Sequence, residues 1–86
     1  MQNFSTALPM DIHVHTGPAK VIFRDPSALW IVICREGTAE YRRGRHRLLL
    51  VPNDILLLPP TNLSNTIDPQ KGALYRHIAL YIRITQ

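Results

Sequence analysis

Residues 51–60 read Val-Pro-Asn-Asp-Ile-Leu-Leu-Leu-Pro-Pro, and no other stretch constrains the fold of this chain as tightly. Pro52 has its φ pre-set for the second position of a tight turn, and Asn53 is the non-glycine residue best suited to a left-handed third position. The apolar run that follows, residues 55–58, reads as a short buried strand. Neither Pro59 nor Pro60 can donate to a sheet ladder, so the strand stops there and an extended loop is expected to follow. Turn, strand and stop in so short a span belong to a β protein built of short elements.

The rest of the chain is consistent with that. Residues 1–18 have mixed polarity and two prolines, so an arm or edge segment is expected there, with at most one short strand over residues 11–15. Residues 19–86 are expected to form the barrel domain. His13 and His15, two apart, would share one face of the first strand. They make only a modest metal motif, because a site needs further ligands at the right distance. Residues 19–23 are β-prone, and residues 24–27, Arg-Asp-Pro-Ser, form a turn cluster. Residues 29–34, Leu-Trp-Ile-Val-Ile-Cys, lack alternation, the pattern of a strand covered on both faces. Glu36-Gly37 breaks that strand, and residues 38–43 and 46–51 then flank Gly44 as a hairpin with Arg43-Gly44-Arg45 at its tip. Residues 61–67 are polar with two apolar points, and residues 68–72 form a turn.

The last segment, residues 74–84, says most about function. Its even positions are Leu74, Arg76, Ile78, Leu80, Ile82 and Ile84, and its odd positions are Tyr75, His77, Ala79, Tyr81 and Arg83. In a strand the first set makes a greasy face and the second an aromatic, polar one. The second face is fit to line a cavity for a polar ligand. The greasy face needs a cover, which an N-terminal arm, a second copy or another part of a longer chain would supply; self-association as a homodimer is expected. No segment holds a helical period.

Composition excludes several classes. A chain of 86 residues makes one small domain with a limited core. No apolar run nears the ~20 residues that span a bilayer, and the N-terminus lacks both the basic start and the continuous apolar stretch of a signal peptide. A cytoplasmic protein without membrane contact is expected. Cys34 is the single cysteine, so no internal disulfide or cysteine-rich zinc site is available, and it reads as a small buried hydrophobe. The net charge of +4 is concentrated in Arg42, Arg43, Arg45 and Arg47. Arginines at a hairpin tip can track phosphates, but only Tyr41 stands near for base stacking, and a solvated tip is the simpler reading.

Glu36-Gly37, the Asn53-Asp54 turn, Ile-Leu-Leu-Leu-Pro-Pro and the extended run holding Tyr75 and Tyr81 together resemble the N-terminal sensing domain of AraC-type transcriptional regulators, a branch of the cupin superfamily. The resemblance covers residues 29–84. It implies an all-β, cupin-like double-stranded β-helix, a small jelly-roll barrel without helical segments. It further implies an effector-sensing and/or dimerisation domain, not an enzyme, that binds a small molecule inside a metal-free barrel without a cofactor. DNA would be contacted only through a helix-turn-helix domain absent from this chain.

The departures from the family narrow the expectation. The second cupin motif falls on Asn53, Pro59, Thr61, Ser64 and Asp68, of which only the proline is unchanged, and Ser64 cannot replace a metal-binding imidazole. The first motif wants a glutamate four residues after His13-X-His15, where this chain has Ala19, so metal-dependent chemistry is not expected. Pocket positions of the arabinose-responsive member match Glu36, Thr66, His77 and Ala79. Only His77 carries over, and Ala79 removes the aromatic platform that sugars favour. The expected ligand-binding residues are Glu36, Thr66, Tyr75, His77 and Tyr81, with Glu36 suited to a cationic or hydrogen-bond-donating ligand. Two alternatives stand beside this reading. One is a small metal-independent cupin enzyme of isomerase or epimerase type using His77, Glu36 and Tyr75 as acid–base groups; the other is a basic hairpin that binds nucleic acid.

Overall fold

The computed structural model describes residues 10–84. They form β1 (Met10–Thr16), β2 (Val21–Asp25), β3 (Ala28–Glu36), β4 (Ala39–Arg43), β5 (His46–Leu50), β6 (Ile55–Leu58), β7 (Thr61–Pro69) and β8 (Arg76–Arg83), with no helix among the described residues. Two four-stranded antiparallel sheets result, in the orders β1-β8-β3-β6 and β2-β7-β4-β5. Apart from the β4–β5 hairpin, each strand passes to the opposite sheet, which is the jelly-roll arrangement expected from the sequence.

The turn ahead of β6 forms as its residues dictate. Asn53 has φ 78°, the Asp54 amide donates to Val51 O at 3.0 Å, and Asp54 Oδ2 accepts from the Val51 amide at 2.9 Å. The turn is also tied to β3, since Asn53 N donates to Cys34 O at 2.8 Å and Cys34 N donates to Asp54 O at 3.0 Å. Cys34 is buried as expected, its thiol raised above the usual range by burial and secondarily by the Asp54 carboxylate.

Period-two alternation divides each sheet into an inner and an outer face. The inner positions Val32, Cys34, Leu58 and Ala79 of the first sheet meet Phe23, Ala39, Leu50 and Ile67 of the second in one core. On the outer face of the first sheet, the register sets Ile12 beside Leu80, Ile31 and Leu57 in one row, Val14 beside Ile78, Ile33 and Ile55 in the next, and Met10 beside Ile82 and Leu29 in a third. The outer face of the second sheet has a different chemistry. There Ile22, Thr66, Arg42 and Arg47 form one row and Asp68, Glu40 and Leu49 another, with Arg42 paired to Glu40 at 3.4 Å and to Asp68 at 3.5 Å.

The segment after Pro60 departs from expectation. It is not a loop but β7, a nine-residue strand between β2 and β4. Its polarity hid it, because only Asn65, Ile67 and Pro69 are buried, and Asn65 is satisfied by Tyr41, whose hydroxyl donates to Asn65 Oδ1 at 2.6 Å. A buried amide with a partner costs far less than its hydropathy suggests.

Candidate functional site

β8 supplies the site. Its odd positions His77, Ala79 and Tyr81 lie on the core side, flanked by the odd positions of β1 and the even positions of β3. His77 is 2 % exposed, and Tyr75, just ahead of the strand, is 1 % exposed. Tyr75 Oη and His77 Nδ1 share a hydrogen bond of 2.7 Å. Burial lowers the His77 pKa to about 4, with nearby His15 adding to the shift, so the imidazole is neutral at pH 7. Burial likewise raises the Tyr75 phenol well above its usual range, assisted by Cys34.

A wall of rings extends from this pair to the edge of the sheet. His15 lies 5.2 Å from His77, and its Nε2–H donates to Ala19 O at 3.0 Å. Phe23, reaching across from β2, is 6.0 Å from His77 and 4.9 Å from Trp30. Trp30 in turn is 4.8 Å from Tyr81 and 5.5 Å from His13. The Tyr81 hydroxyl donates to Asp25 Oδ2 at 3.0 Å. The Ser27 hydroxyl and amide, donating to the other oxygen, hold that carboxyl below its usual range, with Tyr81 contributing. The two ends of the wall differ. Tyr75 and His77 are packed away, whereas His13 is exposed and the Trp30 Nε1–H, though shielded from solvent, has no acceptor among the described residues.

Of the residues expected to contact a ligand, Tyr75, His77 and Tyr81 gather on this wall, but Glu36 and Thr66 do not. A bulge between Cys34 and Glu36 shifts the register. It turns Glu36 to the outer face, where it pairs with Arg76 at 2.8 Å; a bulge re-aims a side chain in this way. Thr66 stands between Ile22 and Arg42 on the outer face of the second sheet, because β7 alternation turns Asn65 inward instead. Ser64 faces outward by the same alternation, so the residue of β7 nearest the motif's histidine position that points into the core is Asn65. The wall also contains members that the sequence reading passed over as ligand contacts: Trp30, Phe23, His13 and His15. Their common signal was period two. The even positions of β3 put Trp30 on the face of Cys34, a pattern hidden by the apolar odd positions between them.

The donor set does not fit a metal ion. His77 Nδ1 is engaged by Tyr75, His15 Nε2 by a carbonyl, and no group of three His, Cys, Asp or Glu side chains converges among the described residues. A concavity lies away from the ring wall, at the β4–β5 tip: an open cleft of about 600 Å³ lined by Arg43, Gly44, Arg45, His46, Leu63 and Ser64. Arg42 and Arg47 do not enter it; they are ion-paired with Glu40 and Asp68.

No protein-family model and no curated protein matches this sequence. Solved structures do match. The chain is similar to a cupin protein from Bacteroides fragilis with a TM-score of 0.75 at 13 % identity, over 86 % of this chain and 65 % of that one. It is also similar to a cupin 2 conserved barrel domain protein from Salinispora arenicola, with a TM-score of 0.68 at 19 % identity over 85 % and 62 % of the two chains. A predicted oxalate decarboxylase from Thermotoga maritima gives a TM-score of 0.70 at 8 % identity over 98 % and 76 %. This chain thus spans less than two thirds of the first two. At these identities the likeness is one of fold, and the fold is that of the cupins.

Proposed function

We propose that this chain is a small-molecule-binding cupin domain without catalytic activity, of the kind that senses effectors in AraC-type regulators. The regulator part of this reading is supported by the resemblance of the turn, the Pro-Pro stop and the Tyr75-to-Tyr81 run. The binding part rests on one observation: a continuous wall of aromatic and imidazole rings that ends in an exposed His13 beside Trp30. The ligand contacts are the outer members, His13, Trp30 and Tyr81, while Tyr75 and His77 brace them from behind. A flat, ring-containing ligand suits these surfaces, because it stacks on the rings. The buried His77 is a poor acid–base catalyst at neutral pH, its pKa being near 4.

Trp30 is the only tryptophan, so its fluorescence reports directly on this wall. A thermal-shift screen of aromatic and heteroaromatic metabolites is expected to find compounds that raise the unfolding midpoint and change Trp30 emission together. His13→Ala should weaken such binding at least several-fold. If no compound moves either signal, the sensing reading fails; a compound turned over by the chain would replace it with an enzymatic one.

A further inference from the structure

We propose that the open cleft at the β4–β5 tip binds the phosphate group of a small organic phosphomonoester. The hairpin carries four arginines, and the structure divides them into two pairs. Arg42 and Arg47 are answered by Glu40 and Asp68 on the outer face. Arg43 and Arg45 line the cleft instead and join no ion pair among the described residues. All six acidic side chains of the chain are among the described residues, and none of them lines the cleft. Glu36 is committed to Arg76, Asp25 to Ser27 and Tyr81, and Asp54 to the Val51 amide. Asp11 lies on β1, in the other sheet. No acidic side chain of this chain therefore competes with an anionic ligand for the two guanidiniums.

The turn sets how those groups are presented. Gly44 has φ 58° at the first position of a two-residue loop, as a type II′ turn requires. Nothing lies within 4 Å of where its Cβ would stand, so the backbone at the tip is open to an approaching group. Arg43 and His46 close the hairpin as a register pair, two residues beyond Tyr41 and Leu48. Period two puts Arg43 and His46 on the face of Tyr41, which packs against the core. Arg43 is half-buried there, and a partly desolvated guanidinium gains more from an anion than one in open water.

A phosphate fits this donor set. Its oxygens accept several charge-assisted hydrogen bonds at once, so two guanidinium forks can share it, whereas a single fork already fills a carboxylate. Ser64 adds a hydroxyl, and Leu63, 56 % exposed, offers an apolar surface to the organic part of the ligand. The volume of about 600 Å³ lies in the range of small-molecule pockets. A nucleic-acid strand is served less well. Strands that bind basic grooves also stack their bases on aromatic side chains, and no Phe, Tyr or Trp lines the cleft. Tyr41 is tied through its hydroxyl to Asn65. The cleft shares no lining residue with the ring wall, so this site stands whether or not a ligand binds there.

Amide chemical shifts of the full chain, followed during titration with n-butyl phosphate, inorganic phosphate and n-butanol, test the proposal. The aliphatic probe avoids stacking on the ring wall. The amides of residues 43–46 and 63–64 should shift and saturate with n-butyl phosphate, at an affinity ~5-fold or more above that for inorganic phosphate. n-Butanol should leave them in place. Arg43→Gln and Arg45→Gln should each weaken n-butyl phosphate binding by ~10-fold or more, and Arg47→Gln by less than ~2-fold at physiological salt. Arg45 is exposed, so if Arg43→Gln alters the circular dichroism, Arg45→Gln alone decides. The proposal is overturned if those amides show no saturable shift, or if binding survives Arg45→Gln or falls as far with Arg47→Gln. Equal affinity for the two phosphates would mark an adventitious ion only and overturn it too. A thymine decanucleotide that binds more tightly than n-butyl phosphate at physiological salt would give the hairpin to nucleic acid instead.

Discussion

His77 is where sequence pattern, burial and chemistry meet in a single side chain. Its inward position follows from period two, but its neutrality does not. That comes from the packing of Tyr75, His15, Phe23 and Cys34 around the ring. With a folded pKa lowered to about 4, the native state binds fewer protons than the unfolded chain wherever the unfolded imidazole is charged. Stability should therefore be complete above about pH 7 and fall as pH drops from about 6.5 towards about 4, with a loss on the order of 2–3 kcal/mol. Urea midpoints across that range should show the slope, and His77→Gln should flatten the part due to this imidazole. Tyr81 was legible in the same way as His77, by alternation along β8. Glu36 was not, because a bulge between Cys34 and Glu36 sets Glu36 opposite Arg76 on the outer face, and nothing in Arg35-Glu36 marks that insertion.

At the scale of the element, the link between β3 and β4 depends on Gly37. Its φ is 72°, and a Cβ there would collide with Leu74 O and crowd the Tyr75 backbone. Both effects oppose any side chain, since the left-handed region is strained for an L residue and the obstacle is backbone that cannot turn aside. Gly37→Ala should cost about 2–4 kcal/mol, measured by chemical denaturation, and the segment carrying Tyr75 should lose amide protection first. By contrast Gly44, with φ 58° at the hairpin tip, faces open space, so a substitution there meets the strain alone. The sequence placed β6 and the hairpin closely, because prolines and glycines punctuate them. It missed β7, whose inward positions number too few apolar residues to betray a strand; Asn65 is tolerated there because Tyr41 on β4 answers it.

For the whole molecule, connectivity controls how the protein folds. Consecutive strands sit in opposite sheets except at the β4–β5 hairpin, so nearly every strand pair closes a long stretch of chain, β1 with β8 most of all. Loop closure must come before the contacts that reward it, and folding is expected on the millisecond-to-second scale. Stopped-flow refolding followed by Trp30 fluorescence would measure this; a microsecond phase carrying the full amplitude would contradict it. By itself the sequence determined that this is an all-β protein, where its turns lie, that Tyr75, His77 and Tyr81 share a face, and that the opposite face is greasy. Those are local properties, written in residue type and period two. The tertiary structure alone decided that Trp30, Phe23, His13 and His15 complete the ring wall, that Glu36 and Thr66 stand outside it, and that the greasy face of β8 continues unbroken across four strands. Each of those depends on which strands become neighbours and in what register, and that is settled by long-range pairing rather than by any stretch of sequence.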